Sequence, residues 1–123
     1  IPLGTHTQNV DEQGGTYHPG RQEITTNIML ISGCGFPNRE SNFEALEFQF
    51  DRMFSKDCPR ILCVEAPLLG ISEAKPLADQ YLSHVRQAGA EFKATGKISA
   101  KTQALLEQPM IPPDVYRAQI NAR

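Results

Sequence analysis

Cysteine is scarce in this chain of 123 residues. Cys34, Cys58 and Cys63 form an odd, irregularly spaced set, which does not read as a disulfide framework. CxxC, HExxH and close Cys/His clusters are lacking, so no metal site is expected. Thiols used this way fit a reducing compartment, and a cytoplasmic location is the expectation. No apolar run approaches the roughly 20 residues that span a bilayer. No signal-peptide pattern is visible, and no membrane is expected as a partner. A surplus of one charge is also lacking. The net charge is −2 with acids and bases interspersed, which leaves no electrostatic footprint for nucleic acid. Finally, GxGxxG, a Walker loop and a phosphate-cradling strand–loop–helix at the start of the chain are all missing.

The stretch Asn27 to Pro37, NIMLISGCGFP, is the most informative part of what is present. Ile28-Met29-Leu30-Ile31 lacks polar alternation, which suits a strand buried on both faces of a parallel sheet. Gly33 and Gly35 then give an open loop after the strand, and Pro37 blocks further ladder bonding. Ligands of open α/β sheets bind beyond the carboxyl ends of strands, so this loop is the leading site candidate. Gly35 is expected to need a conformation or clearance that a branched side chain denies. Gly35→Val should therefore do more damage than Cys34→Ala.

Residues 1–26 show no sustained apolar period and read as an irregular arm, with a short hairpin around Gly14-Gly15. His6 and His18 there read as solvated loop histidines. The chain begins Ile-Pro rather than Met, as a processed chain or a piece of a longer one does. Downstream of the central loop, Ser41 and Glu44 have the spacing of a capping box. Phe43, Leu46, Phe50, Met53 and Phe54 then make one apolar helical face, ending before Asp57-Cys58-Pro59. Arg60 to Pro67, RILCVEAP, reads as a second buried strand, completing a βαβ unit. Glu65 falls at its carboxyl end, and Cys63 reads as an inert core residue.

Ser72 is placed to cap the next helix, with Pro76 in its first turn. Leu77, Tyr81, Val85, Ala88 and Phe92 line that helix's apolar face, with His84 beside it. Gly96 is its expected stop. Ser99 caps a shorter helix carrying Leu105 and Leu106. A last helix opens at Pro112-Pro113-Asp114 and carries Val115, Tyr116 and Ile120. Two strands make a poor core alone.

Several segments, in order, resemble a known family. They are Thr16-Tyr17-His18-Pro19-Gly20-Arg21, MLISGCGFP ending at Pro37, AGAEFKATGKIS from Ala88 to Ser99, and Gln108-Pro109-Met110-Ile111-Pro112. Together they resemble the C-terminal half of flavodoxin-like NAD(P)H-dependent FMN reductases, including the multimeric flavodoxins and iron–sulfur-flavoprotein-like relatives. The resemblance runs from about Thr16 to the end.

It implies an α/β fold, a flavodoxin-like three-layer parallel sheet. Residues 27–123 would be the C-terminal part, with about two strands and three to four helices. Asn27 to Cys34 would be the fourth strand and Arg60 to Pro67 the fifth. FMN would be the cofactor and NAD(P)H the reductant. Gly33, Cys34, Gly35, Phe36 and Pro37 would border the isoalloxazine ring. Gly33 and Gly35 would offer N–H groups, and Phe36 would lie against the ring. Tyr17 and His18 would border the same site. The family's first three strands, its phosphate loop and its cluster cysteines have no counterpart here.

Three functions follow as expectations. The chain is part of an FMN-dependent oxidoreductase. Alternatively, it is an assembly module that pairs with a second copy, or with a separate N-terminal half, and binds no FMN by itself. The third is a thiol role for Cys34, set between glycines.

Overall fold

A computed structural model describes residues 8–17 and 26–123. Among these the fold is mixed α/β, with four α-helices, a short antiparallel hairpin and a parallel two-stranded sheet. His6 and His18 lie outside the described residues.

The expected hairpin is present. β1 (Asn9–Val10) pairs antiparallel with β2 (Thr16–Tyr17). Its turn is held by Asp11, whose Oδ1 accepts from Gln13 N at 3.0 Å and Gly15 N at 2.7 Å. Gly14 adopts φ 81°, the left-handed region that glycine tolerates best. An ion pair between Asp11 and Arg52 docks the hairpin on the following helix.

β3 (Leu30–Gly33) is shorter than the Asn27 to Cys34 expected. It pairs parallel with β4 (Arg60–Cys63), with Leu30 opposite Arg60 and Gly33 opposite Cys63. Ile61, Leu62 and Cys63 are buried, as a covered strand requires. β3 departs from expectation. Ile31 is 62% exposed, so this strand is covered on one face and open on the other. An apolar run of four residues reports hydrophobicity and does not by itself say whether another layer covers both of its faces.

α1 (Glu44–Met53) begins later and ends earlier than the apolar spacing suggested. Glu44 Oε1 does accept from Ser41 N at 2.7 Å, which is half of a capping box. The Ser41 side chain caps nothing, because Ser41 sits at φ 67° and the N-cap position falls to Phe43. The reason is local. Asn42 Nδ2 donates to the Asn38 carbonyl at 2.8 Å, closing a turn that delays the helix. Phe43 and Phe50 face inward, but Met53 and Phe54 are exposed, so the five-residue apolar face is not continuous. Arg60 ties α1 to the sheet. Its guanidinium donates to Glu47 at 3.0 Å and Asp51 at 2.6 Å, and lies 5.3 Å from the centroid of the Phe50 ring.

After β4 come two 3-10 turns, Ala66–Gly70 and Ser72–Ala74. α2 (Lys75–Thr95) follows directly. Its N-cap is Ala74 rather than Ser72, since the second 3-10 turn occupies the expected capping position. Pro76 is in its first turn, and Gly96 ends it at φ 75°. α3 (Ala100–Glu107) carries the expected cap, with Thr102 N donating to Ser99 Oγ at 3.2 Å. α4 (Pro113–Asn121) buries Tyr116 and leaves Val115 and Ile120 largely exposed.

The main core is Ile61, Cys63, Tyr81, Ala88 and Leu106, joining β4 to α2 and α3. A second cluster of Leu68, Ala74 and Tyr116 seats α4. Val85 packs against the first, and Met110 touches both. No helix among the described residues is long and apolar enough to cross a membrane.

Candidate functional site at the strand ends

β3 and β4 run parallel, so their carboxyl ends lie together and the two following loops are neighbours. Backbone bonds lace these loops. Cys34 N donates to the Cys63 carbonyl at 2.9 Å, Ala66 N to Cys34 at 3.0 Å, and Glu65 N to Phe36 at 2.9 Å. The ladder therefore continues past the regular strands and holds Gly33 to Pro37 in one shape.

Five of the expected site residues are thus brought together. Gly33, Gly35 and Phe36 are exposed, Phe36 at 61%, whereas Pro37 is buried and takes no part in the loop's open surface. Among the described residues, the Gly35 N–H has no acceptor. Cys34 is half-buried, and its thiol lies 3.6 Å from the Phe36 carbonyl, turned back into its own loop. Tyr17 pairs with Asn9 in the hairpin, in a sheet separate from β3–β4.

The glycine expectation needs correction. A Cβ at Gly35 would meet only Pro67 Cγ, at 3.8 Å, and the residue does not have positive φ. Gly33 is the constrained position, because its Cβ would stand 3.1 Å from Ala66 Cβ. The close approach comes from the partner loop, which spacing within one segment does not reveal.

Sequence reasoning gave too little weight to Glu65. Its side chain is fully buried, at 0% exposure. Oε1 accepts from Met110 N at 2.9 Å and Ile111 N at 3.4 Å, while Oε2 has no partner among the described residues. Burial raises its pKa above the ordinary carboxylate value, and the two N–H donors offset part of that rise. Its backbone is left-handed at φ 55°, turning the chain from β4 into the 3-10 helix. The available signal was an acid directly after a buried apolar strand, which must find donors.

Tyr116, expected merely as part of an apolar face, donates from its hydroxyl to the Gly35 carbonyl at 2.8 Å. Burial raises its pKa, with Glu65 adding to the effect. Beneath the site, Tyr81 is buried near the Cys63 thiol, and its hydroxyl has no hydrogen-bond partner of full geometry among the described residues. Burial raises the Cys63 thiol as well, consistent with an inert core residue.

No group of three or more His, Cys, Asp or Glu side chains able to hold a metal occurs among the described residues. A cleft of about 280 Å³, bordered by Asn27, Ile28, Phe54, Pro59 and Lys97, lies at the opposite, amino-terminal end of the strands. No family model, curated protein or solved structure matches the chain.

Proposed function

We propose that this chain is the C-terminal part of a flavodoxin-like, FMN-dependent NAD(P)H oxidoreductase, with Gly33 to Phe36 forming one wall of the flavin site. The observation that carries this reading is the exposed loop at the joined carboxyl ends of two parallel strands. It offers a flat aromatic side chain, Phe36, beside a backbone donor, Gly35 N–H, that has no acceptor among the described residues. These residues fit the edge and face of an aromatic ring. They do not supply a phosphate cradle, so the phosphate is assigned to residues outside this set. When bound, FMN supplies the hydride chemistry, and the loop's part is to position the ring and donate to its polar edge.

Among the described residues β3 pairs only with β4, which leaves its other edge for further strands and its open face for a covering layer. Their source would be an N-terminal half or another copy. The test is the visible spectrum of the purified full-length protein, with FMN titration and anaerobic addition of NADH or NADPH. A flavin band bleached by reduced nicotinamide is expected. Phe36→Ala should weaken FMN binding about fivefold, the equivalent of ~1 kcal/mol of aromatic contact.

A second reading, an assembly module without flavin, is favoured by Ile31, Phe48 and Met53, all strongly exposed. A colourless protein that takes up no FMN and runs as an oligomer would replace the first reading with this one.

A further inference from the structure

Two side chains from different parts of the chain converge on the strand-end loops. Glu65 holds Met110 and Ile111 through Oε1, and its own N–H holds Phe36. Tyr116, on the helix those residues lead into, holds Gly35. The chain is therefore closed into a ring of bonds running from Gly35 and Phe36 to Glu65, on to Met110–Ile111, into α4 and back through Tyr116. Neither side chain is needed at its position for packing alone. A buried carboxyl with one oxygen unpartnered among the described residues is costly where an apolar residue would pack without penalty. Phenylalanine would fill the ring volume of Tyr116 beside Leu68 and Ala74.

We infer that Glu65 and Tyr116 are positioning residues that set the shape of the Gly33–Pro37 loop through residues 110–121. The C-terminal segment thereby acts on the loop through the Glu65 and Tyr116 hydrogen bonds. This inference rests on the loop being the binding wall, but its central claim concerns the loop's order and is measurable without any ligand.

The experiment is amide hydrogen exchange on the full-length protein and on Tyr116→Phe, Glu65→Ala and Glu65→Gln, followed by FMN titration of each. Tyr116→Phe should speed exchange about tenfold at Cys34, Glu65 and Ala66, the scale of one lost net hydrogen bond, and leave the α2 and α3 amides unchanged. Glu65→Ala should do the same at Cys34 and Ala66, neither of which is among the hydrogen-bond partners of its side chain, Met110 N and Ile111 N. Glu65→Gln retains an acceptor oxygen and should restore slow exchange. Uniformly faster exchange, including α2 and α3, would mean a purely structural role and overturn the inference. Unchanged exchange at Cys34 and Ala66 would overturn it as well. If the loop loosens as expected but no variant or parent binds FMN, the positioning role stands and the flavin reading fails. If FMN binds equally to all, the flavin reading stands, and exchange at Cys34 and Ala66 alone decides the positioning role.

Discussion

The Tyr116 hydroxyl donates to the Gly35 carbonyl at 2.8 Å, across 81 positions of sequence. That bond joins the last helix to the loop after the first strand of the parallel pair. The ring itself is buried against Leu68 and Ala74, so the two contributions can be separated. Tyr116→Phe should cost about 1 kcal/mol, a few degrees in Tm. Tyr116→Ala, which also empties the ring volume, should cost about 3–5 kcal/mol. Thermal denaturation of the pair tests this, and equal losses would contradict the assignment of the bond.

Glu65 predicts a pH dependence of stability. Its folded-state pKa is raised above the ordinary carboxylate value by burial. The folded protein therefore binds this proton more tightly than the unfolded chain does. The stabilisation is complete below the unfolded value and is lost as pH rises through the folded one. Glu65→Gln should remove this component, so the gap in Tm between variant and parent should shift in favour of the variant from acid to mildly alkaline pH. A constant gap would show that Glu65 does not titrate between folded and unfolded states as described.

Glu91 predicts the opposite slope. Thr102 Oγ1, Ser99 N and Gln87 Nε2 all donate to its carboxylate and hold its pKa down at about 2, well below the ordinary carboxylate range. Its contribution is present above the unfolded value and is lost as pH falls from there towards the folded one. Glu91→Gln should therefore flatten the acid limb of a Tm–pH curve. Exchange at Ser99 and Thr102 should be the first to rise in acid. An unaltered acid limb in the variant would remove Glu91 from the account.

The two glycines of the loop should respond differently to an added methyl. Ala66, whose Cβ would stand 3.1 Å from a Cβ at Gly33, cannot retreat, because its N–H is bonded to the Cys34 carbonyl at 3.0 Å. Gly33→Ala should cost about 1–2 kcal/mol by overpacking. Gly35→Ala meets only an ordinary van der Waals contact with Pro67 and should stay within about 0.5 kcal/mol of the parent. Chemical denaturation of both variants checks the order, and the reverse order would mean the loops approach elsewhere.

Ile31 tests the assembly reading. It is 62% exposed on a strand whose partner is buried. Ile31→Thr keeps a β-branched side chain, so Tm should change little. Self-association measured by light scattering should fall if this open face meets another copy. An unchanged mass would assign association to another surface or to none.

Local sequence determined most of the secondary structure. The Ser99 cap, the Gly96 stop, Pro76 in a first helical turn and the Gly14 turn all sit where near-neighbour chemistry demands them. Each depends on backbone groups within four residues or so, which is the range over which a sequence is explicit. Ser41 and Ser72 failed as caps because an equally local competitor won, the Asn42 turn in one case and a 3-10 turn in the other.

The tertiary structure alone decided which face of β3 is open, which glycine is crowded and which residues hold the loop. Ile31 is exposed because nothing among the described residues covers it, and Gly33 is crowded because Ala66 arrives from another segment. Glu65 finds its donors 45 and 46 positions away, and Tyr116 its acceptor 81 positions away. Hydrogen-bond capacity is written in a residue's chemistry, but its partner is chosen by the path of the whole chain.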